Sequence, residues 1–307
     1  MYDLITDVHG HYKKLVEILT KLEYEEIKEN VWKHPKGRKL IFLGDLVDRG
    51  PEQRKVVALV RRTCEEGEAE CLMGNHEYNS VCWEISAPNQ PNQFLYQRSS
   101  KNKKMHEAFL SEYEGDEEAY ISDLKWFKSL PIAIEKDGFR AIHACWNNQY
   151  IAVAKQYLNE DMSIPEHAWQ LTKNKDHPLH SAIENLIKGP EVKLPKNMAK
   201  IESDGSKRDT IRISWWPTKT ENLSDILVTT KKHKESLLGV RLSSLKNRFI
   251  YTDKKPVFFG HYWFSGSPEV INEKMACLDY CGGKSGPLVA YRWDGEENLS
   301  SDKIITV

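Results

Sequence analysis

The sequence has no CxxC pair and only six cysteines in 307 residues, scattered at Cys64, Cys71, Cys82, Cys145, Cys277 and Cys281. That scatter argues against a disulfide scaffold and a thiolate zinc knuckle, Cys277 and Cys281 included, and a reducing cytoplasm is the expected compartment. No apolar run approaches the length of a membrane span. A strand-like segment begins at Tyr2, which leaves no room for a basic stretch, a signal core and a cleavage site, so no secretory leader is expected. Net charge is missing as well: 44 Lys and Arg against 45 Asp and Glu give −1. No overall field recruits nucleic acid or an anionic membrane, and attraction for an anion must be local. Internal repeats and low-complexity stretches are also absent, which sets repeat architectures aside.

What is present is a composition of 40% hydrophobic and 29% charged residues, enough for a substantial core in one large α/β domain or two small ones. Tyr2–Thr6 reads as a buried strand, followed by a helix over Tyr12–Leu22 with Leu15, Ile18, Leu19 and Leu22 at helical spacing. Lys39–Leu43 is a second strand. The break at Gly50-Pro51 leads into a helix presenting Val56, Val57, Leu59 and Val60, and Ala69–Met73 is a third strand. Later strands are expected at Leu130–Glu135, Phe139–His143, Arg248–Tyr251, Pro256–Phe259, Met275–Asp279 and Pro287–Trp293. This alternation predicts an α/β class.

Two stretches depart from the pattern. From about Trp83 to Trp126 the chain turns polar, with helical fragments such as Met105–Tyr113, and reads as an insertion. Trp146–Leu245 reads as another, and its Ser-Trp-Trp-Pro at Ser214–Pro217 is expected as a cap or a substrate-facing surface. The basic stretch from Lys231-Lys232-His233-Lys234 through Arg248 reads first as a solvated helix face and second as a site for an acidic peptide or nucleotide.

Five apolar runs end in residues that bind metals or phosphate: Asp7-Val8-His9-Gly10 after Leu4-Ile5-Thr6, Gly44-Asp45 after Leu40–Leu43, Gly74-Asn75-His76-Glu77 after Cys71–Met73, His143 after Phe139–Ile142, and Gly260-His261 after Val257–Phe259. Each by itself is ordinary, a cap, a turn or a partly buried imidazole. Five in one chain are not. Sites in open α/β sheets gather beyond the carboxyl ends of strands, so the five ends are expected to converge on one crevice. Asp, His, Asp, Asn, His and His suit two divalent ions such as manganese, iron or zinc better than a structural zinc site.

These motifs, Asp7-Val8-His9-Gly10, Gly44-Asp45-Leu46-Val47-Asp48-Arg49-Gly50, Gly74-Asn75-His76-Glu77, His143 and Gly260-His261, together resemble the calcineurin-like metallophosphoesterase superfamily, in its bacterial phosphoprotein-phosphatase-like branch. The tail Leu278–Asp294, with Gly-Pro-Leu-Val-Ala-Tyr-Arg-Trp-Asp-Gly beginning at Gly286, is similar to bacterial members. The resemblance covers Met1 to about Cys145 and Phe258 to Trp293. It implies a β-sandwich flanked by helices, as a single catalytic domain over 1–307 with insertions at about 83–126 and 146–245. It implies that Asp7 and His9 hold a first ion, that Asp45 bridges two, and that Asn75, His143 and His261 complete the second, with Mn2+ expected and Fe or Zn as alternatives. A bridging hydroxide would be the nucleophile. His76 would protonate the leaving oxygen, Asp48 would orient the His76 ring, and Arg49 and Asn75 would bind the phosphoryl group.

The sequence departs from that pattern after His143, where Ala144, Cys145 and Trp146 replace the usual two glycines, so backbone geometry and access there are expected to differ. A second phosphate-gripping arginine is expected upstream of His261, with Arg212, Arg241 and Arg248 as candidates. Tyr262 and Trp263 read equally as an aromatic wall of the pocket or as core. The implied reaction is phosphomonoester hydrolysis, with a phosphoserine or phosphothreonine protein as the leading substrate. A symmetrical diadenosine tetraphosphatase is the nearest rival, ahead of a catalytically idle metal-binding regulator and a polynucleotide end phosphatase. Neither a membrane nor a nucleic-acid partner is expected, and the oligomeric state is left open.

Overall fold

Apolar residues come in unbroken runs in these strands because both faces of each strand are covered. The computed structural model describes residues 1–88, 90, 92–194, 200–201, 207–218, 223–229, 234–235 and 248–307. In chain order, β1 (Tyr2–Ile5) leads through α1 (Tyr12–Lys21) and the hairpin β2 (Glu25–Lys28) and β3 (Val31–Lys33) to β4 (Lys39–Phe42). Helix α2 (Gln53–Glu65), β5 (Ala69–Cys71), α3 (Asn75–Glu84), α4 (Ser100–Glu112) and α5 (Glu117–Ser129) follow. Next come β6 (Ala133–Glu135), β7 (Arg140–Ile142), α6 (Asn148–Ala154) and α7 (Pro178–Lys188). The middle segment adds β8 (Glu191–Lys193), β9 (Lys200–Ile201), β10 (Lys207–Arg208), β11 (Thr210–Arg212) and the single turn α8 (Leu223–Ile226). The chain closes with β12 (Val257–Phe259), β13 (Met275–Cys277), β14 (Val289–Trp293) and β15 (Ile304–Thr306).

The larger sheet runs β15-β14-β1-β4-β5, with β1, β4 and β5 parallel. The second runs β13-β12-β7-β6, with β13, β12 and β7 parallel. Alternate side chains divide between two cores, as the strand period requires. Leu4, Ile41, Ala141, Phe258, Ala276, Val289 and Tyr291 pack together between the sheets. Their neighbours Ile5, Leu40, Phe42, Ile142, Val257, Phe259 and Ala290 join Leu15, Ile18, Val56 and Val60 under the helices. The expected α/β class and sheet-on-sheet layering are present.

Several expectations need correction. Arg248–Tyr251 carries no strand: the Tyr251 N–H donates to the Trp215 carbonyl at 2.9 Å, and the Arg248 guanidinium donates to the Ser214 and Trp216 carbonyls at 3.1 and 3.3 Å. In the Ser-Trp-Trp-Pro stretch Ser214 and Trp215 face the core and not a substrate, while Trp216 is half-buried and Pro217 exposed. Trp215 is fully buried, 4.6 Å from the Phe259 ring, and Trp216 lies against Phe259 and Tyr262 at 5.6 and 4.9 Å. The two rings pack against Phe259 at the end of β12, the strand that leads to His261. The β2–β3 hairpin and β15 escaped the sequence reading, the first because its β2 residues are all exposed and charged or isolated in pattern. Arg241 and the run Lys231–His233 lie outside the described residues. Among the described residues, no helix is long and apolar enough to cross a membrane.

Candidate active site

The five strand ends do meet. Beyond β1, β4 and β12 the chain turns on residues that L-amino acids rarely allow: Asp7, His9, Asp45, Asp48, Arg49, His261 and Trp263 all have φ between +48° and +98°. Each costs on the order of 1 kcal/mol or more, and such outliers gather where surrounding structure holds functional groups in place. The turns after β4 and β5 also approach closely. A Cβ on Gly44 would strike the Gly74 backbone, and one on Gly74 would strike Asp45.

Gly74-Asn75-His76-Glu77 is not a loop, as its turn-like residues suggested, but the start of α3, with Gly74 at the N-cap. The helix N-terminus aims the His76 N–H at Asp45 Oδ1, 3.0 Å away, where a carboxylate is favoured. Glu77, fully buried, accepts from the Gly74 N–H at 2.9 Å and from the Asp45 and Leu46 N–H groups at 2.8 Å each. It therefore pins the β4 turn to the β5 turn. Burial and then the neighbouring Asp45 push its pKa up, against the pull of those N–H donors.

Around Asp45 two clusters form, one of His9, Asp45 and His76 and one of Asp45, His143 and His261, each with donor atoms within 4.8 Å of one another. Asp45 belongs to both. His9 donates from Nδ1 to the Val47 carbonyl at 2.8 Å, which leaves Nε2 facing Asp7 Oδ1 and Asp45 Oδ2, each at 3.7 Å. His143 is tethered the same way, Nδ1 to the Leu43 carbonyl at 2.8 Å. Its Nε2 lies 3.2 Å from both Asn75 Oδ1 and His261 Nδ1, and 3.4 Å from Asp45 Oδ1. Asp7 Oδ2 accepts from Thr6 Oγ1 at 2.6 Å and from the His261 N–H at 3.1 Å.

These side chains fit divalent cations. Asp7 Oδ1 and His9 Nε2 are buried with no hydrogen-bond partner among the described residues. Two imidazole nitrogens at 3.2 Å, beside a carboxylate, need a proton or a cation between them. Burial opposes charge on His143, yet Asp45 wins and its pKa is pushed up to about 10. Asp45, though buried, is held well below the carboxylate range by His143, His76 and His9. His261 is pushed the other way, well down, by burial and by Arg212. The donors are oxygen and imidazole nitrogen without thiolate, a set suited to manganese, iron or zinc.

To one side, His76 Nδ1 donates to Asp48 Oδ2 at 2.6 Å, and its Nε2 lies 3.7 Å from Asp45 Oδ2. Asp48 is held below the usual carboxylate range despite burial, by hydrogen bonds from His106 and His76. His106 comes from α4, in the polar stretch whose composition gave no hint of it. Arg49 is exposed at the mouth, its guanidinium 4.2 Å from the Trp263 ring centroid, with Lys284 Nζ 4.1 Å from the same ring. A recess of about 360 Å³ opens here, lined by Arg49, His76, Lys104, Met105, Glu107 and Ala108.

Of the aromatic pair, Tyr262 is core, edge-on to Phe259 at 5.6 Å, whereas Trp263 is 37% exposed at the mouth. Its turn is tied down by Asp279, which accepts from the Trp263 and Cys281 N–H groups at 2.7 and 3.0 Å. Arg212 lies near the site, 5.8 Å from the Tyr262 ring. Arg248 is turned onto the Ser214–Thr218 backbone and side chains. Behind His143, the Ala144 and Cys145 N–H groups both donate to the Leu186 carbonyl of α7, at 3.2 and 3.1 Å. The sequence departure at these positions thus docks a helix where the pattern has glycines.

Residues 2–224 match the calcineurin-like phosphoesterases, and the chain therefore belongs to that family. It is 33% identical over 138 residues to the asymmetrical bis(5'-nucleosyl)-tetraphosphatase PrpE of Bacillus subtilis, covering 43% of this chain and 51% of that protein. With the protein of the same name from Halalkalibacterium halodurans it is 45% identical over 75 residues, 24% of this chain and 30% of that one. The chain thus spans about half the length, or less, of these curated relatives. A solved serine/threonine phosphatase from Saccharomyces cerevisiae aligns over all of this chain and 78% of its own, at 14% identity and a TM-score of 0.49.

Proposed function

We propose that the chain hydrolyses phosphoric monoesters, with Asp7, His9, Asp45, Asn75, His143 and His261 holding two divalent cations, Mn2+ foremost. The observation that carries this reading is Asp45, whose Oδ2 lies 3.7 Å from His9 Nε2 and whose Oδ1 lies 3.4 Å from His143 Nε2, one carboxylate between the two sets of side chains. Two such cations would supply an activated water near neutral pH and charge to match the phosphoryl oxygens. The chain's own residues do the rest. His76, held by Asp48 through Nδ1, presents Nε2 to the site and gives a proton to the leaving oxygen. Arg49 closes on two phosphoryl oxygens with its planar fork, and Arg212, whose charge is felt by His261, adds positive charge. The six cysteines are free, which accords with a cytoplasmic setting.

The leading substrate is a phosphoserine or phosphothreonine side chain, because the recess beside His76 and Arg49 opens at the surface. A dinucleoside tetraphosphate cleaved off-centre is the second reading, favoured by the names of the relatives. The test is phosphate release from p-nitrophenyl phosphate by metal-stripped protein with and without Mn2+, with Asp45→Asn as control. A phosphoserine peptide and a dinucleoside tetraphosphate run alongside. Manganese-dependent turnover that the variant lacks supports the reading. Turnover of the dinucleotide alone replaces the monoester with the second reading, and silence on all three overturns both.

A further inference from the structure

Asp48 is shared. While Oδ2 accepts from His76, Oδ1 accepts from His106 Nδ1 at 2.9 Å, and all three side chains are buried. A carboxylate can only accept, so both imidazoles carry their hydrogen on Nδ1 towards it. The His106 ring is itself clamped, stacked on Phe109 at 5.0 Å and tilted against Trp83 at 5.6 Å. Its Nε2 has no hydrogen-bond partner among the described residues. A buried polar ring with one bond is kept for that bond, since an apolar side chain would fill the same space without an unpaired nitrogen. The residues flanking it on α4, Lys104, Met105, Glu107 and Ala108, line the recess next to His76.

We propose that His106 is a positioning residue: through Asp48 it sets the orientation of the His76 ring, and it ties α4, the wall of the leaving-group recess, to the same carboxylate. The proposal rests on the reading of His76 as the donor to the leaving oxygen. With one imidazole alone, Asp48 is free to rotate about its terminal bond and His76 follows. With two, both oxygens are fixed. Placement of that kind matters most when the departing oxygen is basic and needs its proton in the transition state.

The test compares p-nitrophenyl phosphate, whose leaving group departs readily as an anion, with phenyl phosphate, whose leaving group does not. In the Mn2+-loaded protein, His106→Phe is expected to lower kcat about 10- to 100-fold on phenyl phosphate and only a few-fold on p-nitrophenyl phosphate. His106→Asn, which places an amide N–H near the former Nδ1, is expected to restore most of the difference. Ser99→Ala removes the N-cap of the same helix, where Ser99 accepts from the Asn102 N–H, and touches neither His106 nor Asp48, so it should lower Tm and leave the ratio of the two rates unchanged. An independent readout needs no turnover: in 15N-labelled protein the His76 Nδ1–H resonance should be protected from exchange in wild type and His106→Asn, and lose protection in His106→Phe.

Equal losses on both esters, no loss on either, or an unchanged His76 resonance in His106→Phe overturns the proposal. If His106→Phe does not fold, His106→Gln, whose amide is displaced from Asp48, takes its place with the same expectations. A wild type silent on every ester overturns the monoesterase reading instead, and the resonance still decides whether His106 orients His76.

Discussion

Glu77→Gln isolates the contribution of one buried carboxylate to the site. Its two oxygens accept three backbone N–H groups, from Gly74, Asp45 and Leu46, and so join the turns after β4 and β5. Glutamine has one acceptor oxygen. Placed at Oε2 it keeps the Gly74 and Asp45 bonds in weaker, uncharged form, and its NH2 is set against the Leu46 N–H. A lost hydrogen bond to a charged acceptor, with a buried donor left unpaired, costs about 2–3 kcal/mol. Over 307 residues, at about 2.1 cal/mol/K of unfolding entropy per residue, that is a fall of about 3–5 °C in Tm. Glu77→Ala strands all three donors at a cost of about 4–6 kcal/mol, near the low end of whole-domain stability, so little folded protein should accumulate. Melting of metal-stripped protein by far-UV circular dichroism measures the first effect. Calorimetric titration with Mn2+ measures the second consequence, a cation affinity weakened about tenfold or more because the Asp45 turn is released. A Glu77→Gln protein that melts within 1 °C of wild type and binds Mn2+ equally well would refute the claim that this carboxylate holds the two turns together.

Arg49→Lys should lower kcat/KM on p-nitrophenyl phosphate about 10- to 100-fold with little change in Tm, since lysine cannot match the bidentate fork and the position is exposed; equal rates would remove Arg49 from substrate binding. Adding Mn2+ at about 100 times its Kd should stabilise the stripped protein by about 2.7 kcal/mol, and Asp45→Asn should show no such shift in the same melt. Glu68, bonded to Lys33 and Lys39, is held below its ordinary value of 4.5 although burial opposes it. A depressed carboxylate contributes stability above its unfolded pKa and loses it as pH falls through the folded one. The urea midpoints of wild type and Glu68→Gln should therefore differ at pH 7 and draw together as the pH falls below 4.5; a gap independent of pH would show that the charge is not what matters.

The sequence was most legible where short-range pattern and chemistry coincide. The strand ends carrying Asp7, Asp45, Asn75, His143 and His261 could be placed because an apolar run ending in a ligand residue is a local signal. So was the core face of α2, whose Val56, Val57, Leu59 and Val60 are all buried. Glu77 was visible in its motif but its task was not, since its three partners lie on another turn 31 or 32 residues away or at its own N-cap. His106 was less legible still: it pairs with Asp48 across 58 positions from within a polar stretch, and nothing local marks it. The Trp215-Trp216 pair misled because an aromatic cluster beside a proline looks the same whether it faces a ligand or fills the space behind a strand.

The six candidate ligands are divided between the two layers of the sandwich. Asp7, His9, Asp45 and Asn75 stand on the sheet of β1, β4 and β5, while His143 and His261 stand on that of β7 and β12. Cations gripped from both sides would act as a clasp across the seam, and sliding of one sheet over the other would open it. The aliphatic and aromatic residues between the sheets, Ile41, Ala141, Phe258 and Tyr291 among them, then serve as a gauge block that sets the span between the two ligand sets. A methylene added or removed there, far from any phosphate, would be read out as a change in how tightly the clasp closes.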